Sequence, residues 1–164
     1  MAKGNSIVVS ANPKGTFHEG IIGSGLTPYP GIVMQIDHSV ALVGGRNTFV
    51  LYNADADGGR PKGPYYILME NYLMGKVMTD PWAAGERAMF FCPAAGDEVN
   101  LLFGDQSGTG ATSDIAIGDI LIPNDTDGEW LVTTGTPETE PAQAKEAYSD
   151  LTADQLVWCV WTGY

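Results

Sequence analysis

Apolar residues in this chain fall in short runs separated by turns rich in glycine and proline. Gly31–Ile36, Thr48–Tyr52, Tyr65–Glu70 and Arg87–Cys92 are apolar, β-branched or aromatic, and of strand length. Tyr65–Glu70 and Arg87–Cys92 are apolar on both alternating faces, which predicts strands covered on both sides. Glu98–Phe103 places Val99, Leu101 and Phe103 on one face. Ile120–Ile122 and Glu129–Thr133 flank Asn124–Gly128, which reads as a hairpin loop. In Gln155–Trp161, Leu156, Trp158 and Val160 point one way, while Val157, Cys159 and Trp161 point the other. That strand is either central or meets another subunit with its second face.

Helix signals are poor. Pro141–Tyr148 is built of good helix formers, yet Ala142, Ala144, Glu146 and Tyr148 also share one strand face. Asp80–Ala84 has room for one helical turn, and no repeat of solenoid period is present. Residues 1–30 differ from the rest. They carry five glycines and three prolines among apolar islands: Ile7, Val8, Phe17, Ile21, Ile22, Leu26 and Tyr29. Such a segment can lie as an extended arm along another surface, or add a strand and loops to the same domain. The arm reading makes those seven residues candidates for docking. The predicted class is all-β, a small barrel or sandwich, with an arm over 1–30 and a β-rich domain over 31–164.

The composition fits a turn-rich globular domain. The 164 residues are 44% hydrophobic and only 17% charged, which excludes disorder for most of the chain. The net charge of −12 argues against nucleic acid and anionic membrane partners. That charge is not evenly spread. Residues 1–95 balance seven Lys/Arg with seven Asp/Glu, whereas residues 96–164 hold one lysine against thirteen acids. The second half reads as a solvated acidic face, or as the outer side of a protein docked by its other side. The pattern predicts no signal-peptide core and no transmembrane helix. Cys92 and Cys159 lie in apolar runs and read as buried free thiols, although spacing leaves a disulfide open.

A search for chemistry returns no constellation. Gly23-Ser24-Gly25 lacks the context of a nucleophile elbow. A Cys92 or Cys159 pairing with His18 or His38 is possible on paper, but strand cysteines of this kind are usually packing residues. His18-Glu19 and Asp37-His38 are adjacent pairs that point opposite ways on a strand, so no zinc site is expected. Asn53–Gly58 resembles the first half of a calcium loop, but Pro64 stands where the bidentate Glu belongs. Gly104–Gly110 is glycine-rich without a lysine or a following helix. The expectation is therefore a non-enzyme without cofactor or metal, whose aromatic and apolar surface makes contacts.

Several stretches resemble the head decoration, or cement, proteins of tailed bacteriophages. They are Thr27–Met34, Gly44-Gly45-Arg46 with Tyr52–Gly58, Leu68–Lys76, Ala83–Arg87 continuing to Pro93–Glu98, Ile115–Leu121, Asp127–Leu131 and Thr162–Tyr164. In order they cover most of residues 27–164. The resemblance implies a barrel- or tulip-like β domain on the outside of the virion. Its partners would be the major capsid protein and itself, often as a homotrimer at local threefold positions, bracing the shell against internal pressure. It also implies a strand over Ala142–Tyr148, and it transfers no catalytic residue. Within it, residues 1–30 are expected to dock the shell, and Trp158, Trp161 and Tyr164 to pack between protomers. Alternatives are a carbohydrate-binding β-sandwich, which needs a row of exposed aromatics, and another minor virion or tail component.

Overall fold

The computed structural model describes residues 6–52, 64–104, 114–124, 128–133, 141–149 and 155–163. Ten strands among them close into two barrels. Barrel 1 contains β1 (Thr16–Ile22), β2 (Val33–Ile36), β3 (Thr48–Leu51), β4 (Tyr66–Leu68) and β5 (Arg87–Cys92). Barrel 2 contains β6 (Glu98–Phe103), β7 (Ile120–Pro123), β8 (Trp130–Thr133), β9 (Ala142–Ala144) and β10 (Gln155–Trp161). The all-β reading and the small-barrel reading both hold. Over Ala142–Ala144 the chain is a strand despite its helix propensity, paired with β7 and β10 on either side. Two neighbours supply more than local propensity does.

The two barrels share one plan. Barrel 1 runs β1-β3-β2-β4-β5, and barrel 2 runs β6-β8-β7-β9-β10. In each, the first and third strands are parallel and every other pair is antiparallel. The registers align as well. Ile22 faces Phe49 across the parallel pair of barrel 1, as Phe103 faces Trp130 in barrel 2. Met34 faces Tyr66 as Leu121 faces Ala142, and Ile21 faces Arg87 as Leu102 faces Leu156. The chain is an internal duplication of one five-stranded unit.

Alternation sends one face of each strand inward. Ile22, Met34, Phe49, Tyr66, Leu68 and Phe90 fill barrel 1, with Phe49 and Phe90 stacked at 3.8 Å. Val99, Leu101, Phe103, Leu121, Trp130 and Trp161 fill barrel 2. The opposite faces explain the runs that are apolar on both sides. Val33, Ile67 and Phe91 point out of barrel 1 and join the barrel 2 core, while Leu102 points out of barrel 2 into the barrel 1 core. An aromatic chain crosses the junction, with Tyr52 to Tyr65 at 5.3 Å, Tyr65 to Trp161 at 5.4 Å and Trp161 to Trp130 at 5.9 Å.

Backbone also meets backbone at the junction. Leu102 N donates to Gly31 O at 3.1 Å, and Val33 N to Gly128 O at 2.9 Å. Gly31 has φ +93°, and a Cβ there would lie 2.7 Å from Leu156 Cδ2 and 2.8 Å from the Leu102 nitrogen. Only glycine fits this approach. The charge border falls at the same place, since the acid-rich residues 96–164 coincide with barrel 2.

Candidate interaction surface

The first thirty residues, with their candidate arm, contribute β1 and a clamp on β6. Ile7 is fully buried, with its N–H donated to Glu70 Oε2 at 3.0 Å and its carbonyl accepting from Asn100 N at 2.8 Å. Ser6 Oγ bonds the same Glu70 carboxylate. Val8 bridges to Val99, and Asp97 accepts the amides of Lys14 and Gly15, each at 2.8 Å. Ile22 is buried inside barrel 1. Ile7 and Ile22 are therefore core residues rather than docking residues. The glycines that favoured an arm make room for rings, since a side chain at Gly20 would overlap Phe49. Of the other candidates, Ile21 and Leu26 are half-buried, and Phe17 and Tyr29 are exposed on separate elements.

The candidate protomer interface divides similarly. Trp161 is a core residue that joins the two barrels, which removes it from any outer surface. Trp158 is half-buried under Lys145, whose Nζ lies 5.9 Å from the ring centroid. Tyr164 lies outside the described residues, as do the calcium-like stretch Asn53–Gly58 and residues 105–110 of the glycine-rich loop. β10 lies between β6 and β9, so its central reading holds.

Both cysteines are free. Burial pushes the Cys92 thiol up, and burial with the Glu146 carboxylate holds Cys159 well above its ordinary value. Both shifts disfavour the thiolate that a nucleophile needs. His18 Nε2 is engaged with Thr16 Oγ1 at 2.8 Å and its ring stands edge-on to Tyr66. Among the described residues, no group of three His, Cys, Asp or Glu is placed to hold a metal. Among the described residues, no helix is long and apolar enough to cross a membrane.

The sequence reading missed an exposed apolar surface. It is the loop between β2 and β3, where Val40, Leu42 and Val43 are 45%, 62% and 50% exposed. The loop is held firmly. Asp37 Oδ1 accepts from Ser39 N at 2.9 Å and from Ser39 Oγ at 2.6 Å, which holds the Asp37 carboxyl below its usual range. Val43 and Arg46 exchange backbone bonds of 2.9 and 3.1 Å around Gly44 and Gly45, both at positive φ, the two-residue turn that matches strand twist. Arg46 Nε then ties the loop to Glu19 Oε2 on β1 at 3.0 Å. Arg87 bonds the other oxygen of Glu19, and the two guanidiniums hold that carboxyl below its ordinary value. A second apolar patch, Leu73, Met74 and Val77, sits on and just after the 3-10 turn Tyr72–Met74.

The signal for the loop was present in Gly44-Gly45-Arg46. Its aliphatic residues, however, read equally well as the end of a buried strand. Compared with protein-family profiles and with curated proteins, the chain matches none. Among solved structures it is similar to the head fiber gp8.5 N base in bacteriophage phi29, at 16% identity and a TM-score of 0.48, over 90% of this chain and 94% of that one.

Proposed function

We propose that this protein is a non-enzymatic structural component of a tailed-phage virion, bound to the outside of the capsid shell and stabilising it. Barrel 1 faces the major capsid protein and barrel 2 faces solvent. The observation that carries the reading is the braced β2–β3 loop, which presents three aliphatic side chains on the charge-balanced half of a chain whose other half carries the excess acid. Exposed aliphatics on a preordered loop lose little freedom on docking. Acids collected on the other half repel one another when copies are packed side by side, so they belong where solvent and salt screen them. The segment resemblance to decoration proteins supports the same assignment.

Stabilisation follows from mass action. A protein that binds the assembled shell and not its separated subunits shifts the equilibrium toward the shell. Repetition over a symmetric lattice adds avidity to contacts that are individually weak. The test is co-sedimentation with heads stripped of surface proteins, followed by thermal disruption. Wild type is expected to bind saturably and raise the disruption temperature, and Leu42→Asp to bind at least about tenfold more weakly. Failure of wild type to bind, or full binding by Leu42→Asp, would refute the assignment.

A further inference from the structure

The duplication exposes an unused half of an interface. The turn Tyr29–Ile32 before β2 and the turn Ala116–Asp119 before β7 are equivalent. Ile32 N bonds Tyr29 O at 3.4 Å, and Asp119 N bonds Ala116 O at 3.1 Å. Gly31 and Gly118 have φ +93° and +94°, and their amides bond Leu68 O and Ala144 O at 2.8 and 2.9 Å. In barrel 1 this turn is seated on barrel 2, against Leu102 and Leu156. The registers make Ile21 and Arg87 the counterparts of Leu102 and Leu156.

A two-fold relation between the barrels would seat Gly118 on Ile21 and Arg87 of the same chain. It does not. Among the described residues, a Cβ at Gly118 would meet only Gln143 Nε2 of its own barrel, at 3.8 Å. The barrels are therefore related head to tail. Among the described residues, barrel 2 keeps an unseated turn, and Arg87 on the matching barrel 1 face stays exposed. Contacts of this kind propagate to a further copy, closing into a ring where the rotation allows and extending as a filament where it does not.

We propose that the turn Ala116–Asp119 docks on the β1/β5 face of barrel 1 of a second copy of this chain. The two halves are complementary. Ile117 is 71% exposed on the turn and lies between Asp114 and Asp119. Next to the opposing face, on the β3 side of β1, lies a groove of about 600 Å³ walled by Ile21, Val40, Val43, Val50 and Ala84. Beside it, Arg46 and Arg87 share Glu19 while Asp37 also lines the groove, so this face is charge-balanced rather than acidic. Residues 96–164 carry the excess acid, so a head-to-tail contact meets a balanced half, whereas barrel 2 against barrel 2 sets acid against acid.

The main-chain bond of the intrachain contact is not repeated. Ile21 N is already bonded to Asn47 O at 2.9 Å, and Gly118 O is held by Gln143 Nε2 at 2.8 Å. The contact between copies is thus one of side chains, weaker than the junction within the chain. It does not rest on shell binding, because it is read in solution without a shell.

Sedimentation velocity and native mass spectrometry test it. Wild type is expected to gain mass with concentration. Ile117→Asp and Ala84→Glu both change exposed turn positions, so each is expected to melt as wild type does while associating at least about tenfold more weakly. Arg87→Gln is expected to weaken association less. Mixing Ile117→Asp with Ala84→Glu is the decisive arm. One keeps the face and the other keeps the turn, so together they form a heterodimer through a single intact contact. A wild type that stays monomeric, variants that associate normally, or a mixture without heterodimer would overturn the proposal.

Discussion

Barrel 1 and barrel 2 follow the same strand order and the same registers, yet they are filled differently. Barrel 1 has Gly20, Tyr66 and Cys92 where barrel 2 has Leu101, Ala142 and Trp161. A large residue on one strand is answered by a small one on another, so each interior is filled by different means. Barrel 1 packs Phe49 against Phe90 and Tyr66, while barrel 2 packs Trp130 against Trp161 beside two alanines. The difference teaches that turns and registers define this unit, and that individual core identities are interchangeable within the available volume. The surfaces diverge more. One unit keeps a balanced charge and a raised apolar loop, and the other carries nearly all the excess acid.

Paired substitutions at equivalent positions break or sharpen this comparison. The largest effect is expected at the junction. Trp161→Ala removes a ring that touches both barrels and should cost about 4 kcal/mol, while Cys92→Ala at the matching position should cost about 1 kcal/mol in urea melts. Gly31→Ala comes next, at about 3 kcal/mol, because the added Cβ meets backbone of the other barrel. Gly118→Ala has the same φ and open space around it, so it should cost only about 1–2 kcal/mol. Equal losses at the two glycines would show that the junction is looser than described.

Asp97→Ala strips three backbone amides, those of Lys14, Gly15 and Ala94, and should cost about 2 kcal/mol. Asp119→Ala, in the same kind of turn, loses one amide partner and should cost less than about 1 kcal/mol. Hydrogen exchange near residues 6–15 should rise in Asp97→Ala alone. The smallest effect has the opposite sign. The Thr48 hydroxyl is buried without a partner among the described residues, so Thr48→Val should raise stability by up to about 1 kcal/mol.

Much of the fold was legible. Runs from Gly31 onward marked most of the strands, and their two apolar faces announced a structure covered on both sides. Over Ala142–Tyr148 alternation and propensity disagreed, the resemblance to decoration proteins implied a strand, and the structure has one over Ala142–Ala144. β1 was harder to read, because Gly15 and Gly20 look like linker residues until Phe91 and Phe49 are seen packed over them. The duplication left little trace in residue identity: Gly31 and Gly118 match, but Gly20 and Leu101 or Cys92 and Trp161 share only a place in the register. The exposed β2–β3 loop was hidden because Val40, Leu42 and Val43 have strand propensities. Only the structure separates an aliphatic residue that closes a core from one that stands outside it.

Solvent footprinting of the protein bound to stripped heads tests the central claim most directly. The account predicts strong protection of Leu42, which does not line the groove offered to a second copy, with the acids of barrel 2 left open to solvent. Protection across the barrel 2 acids with the β2–β3 loop unchanged would contradict it.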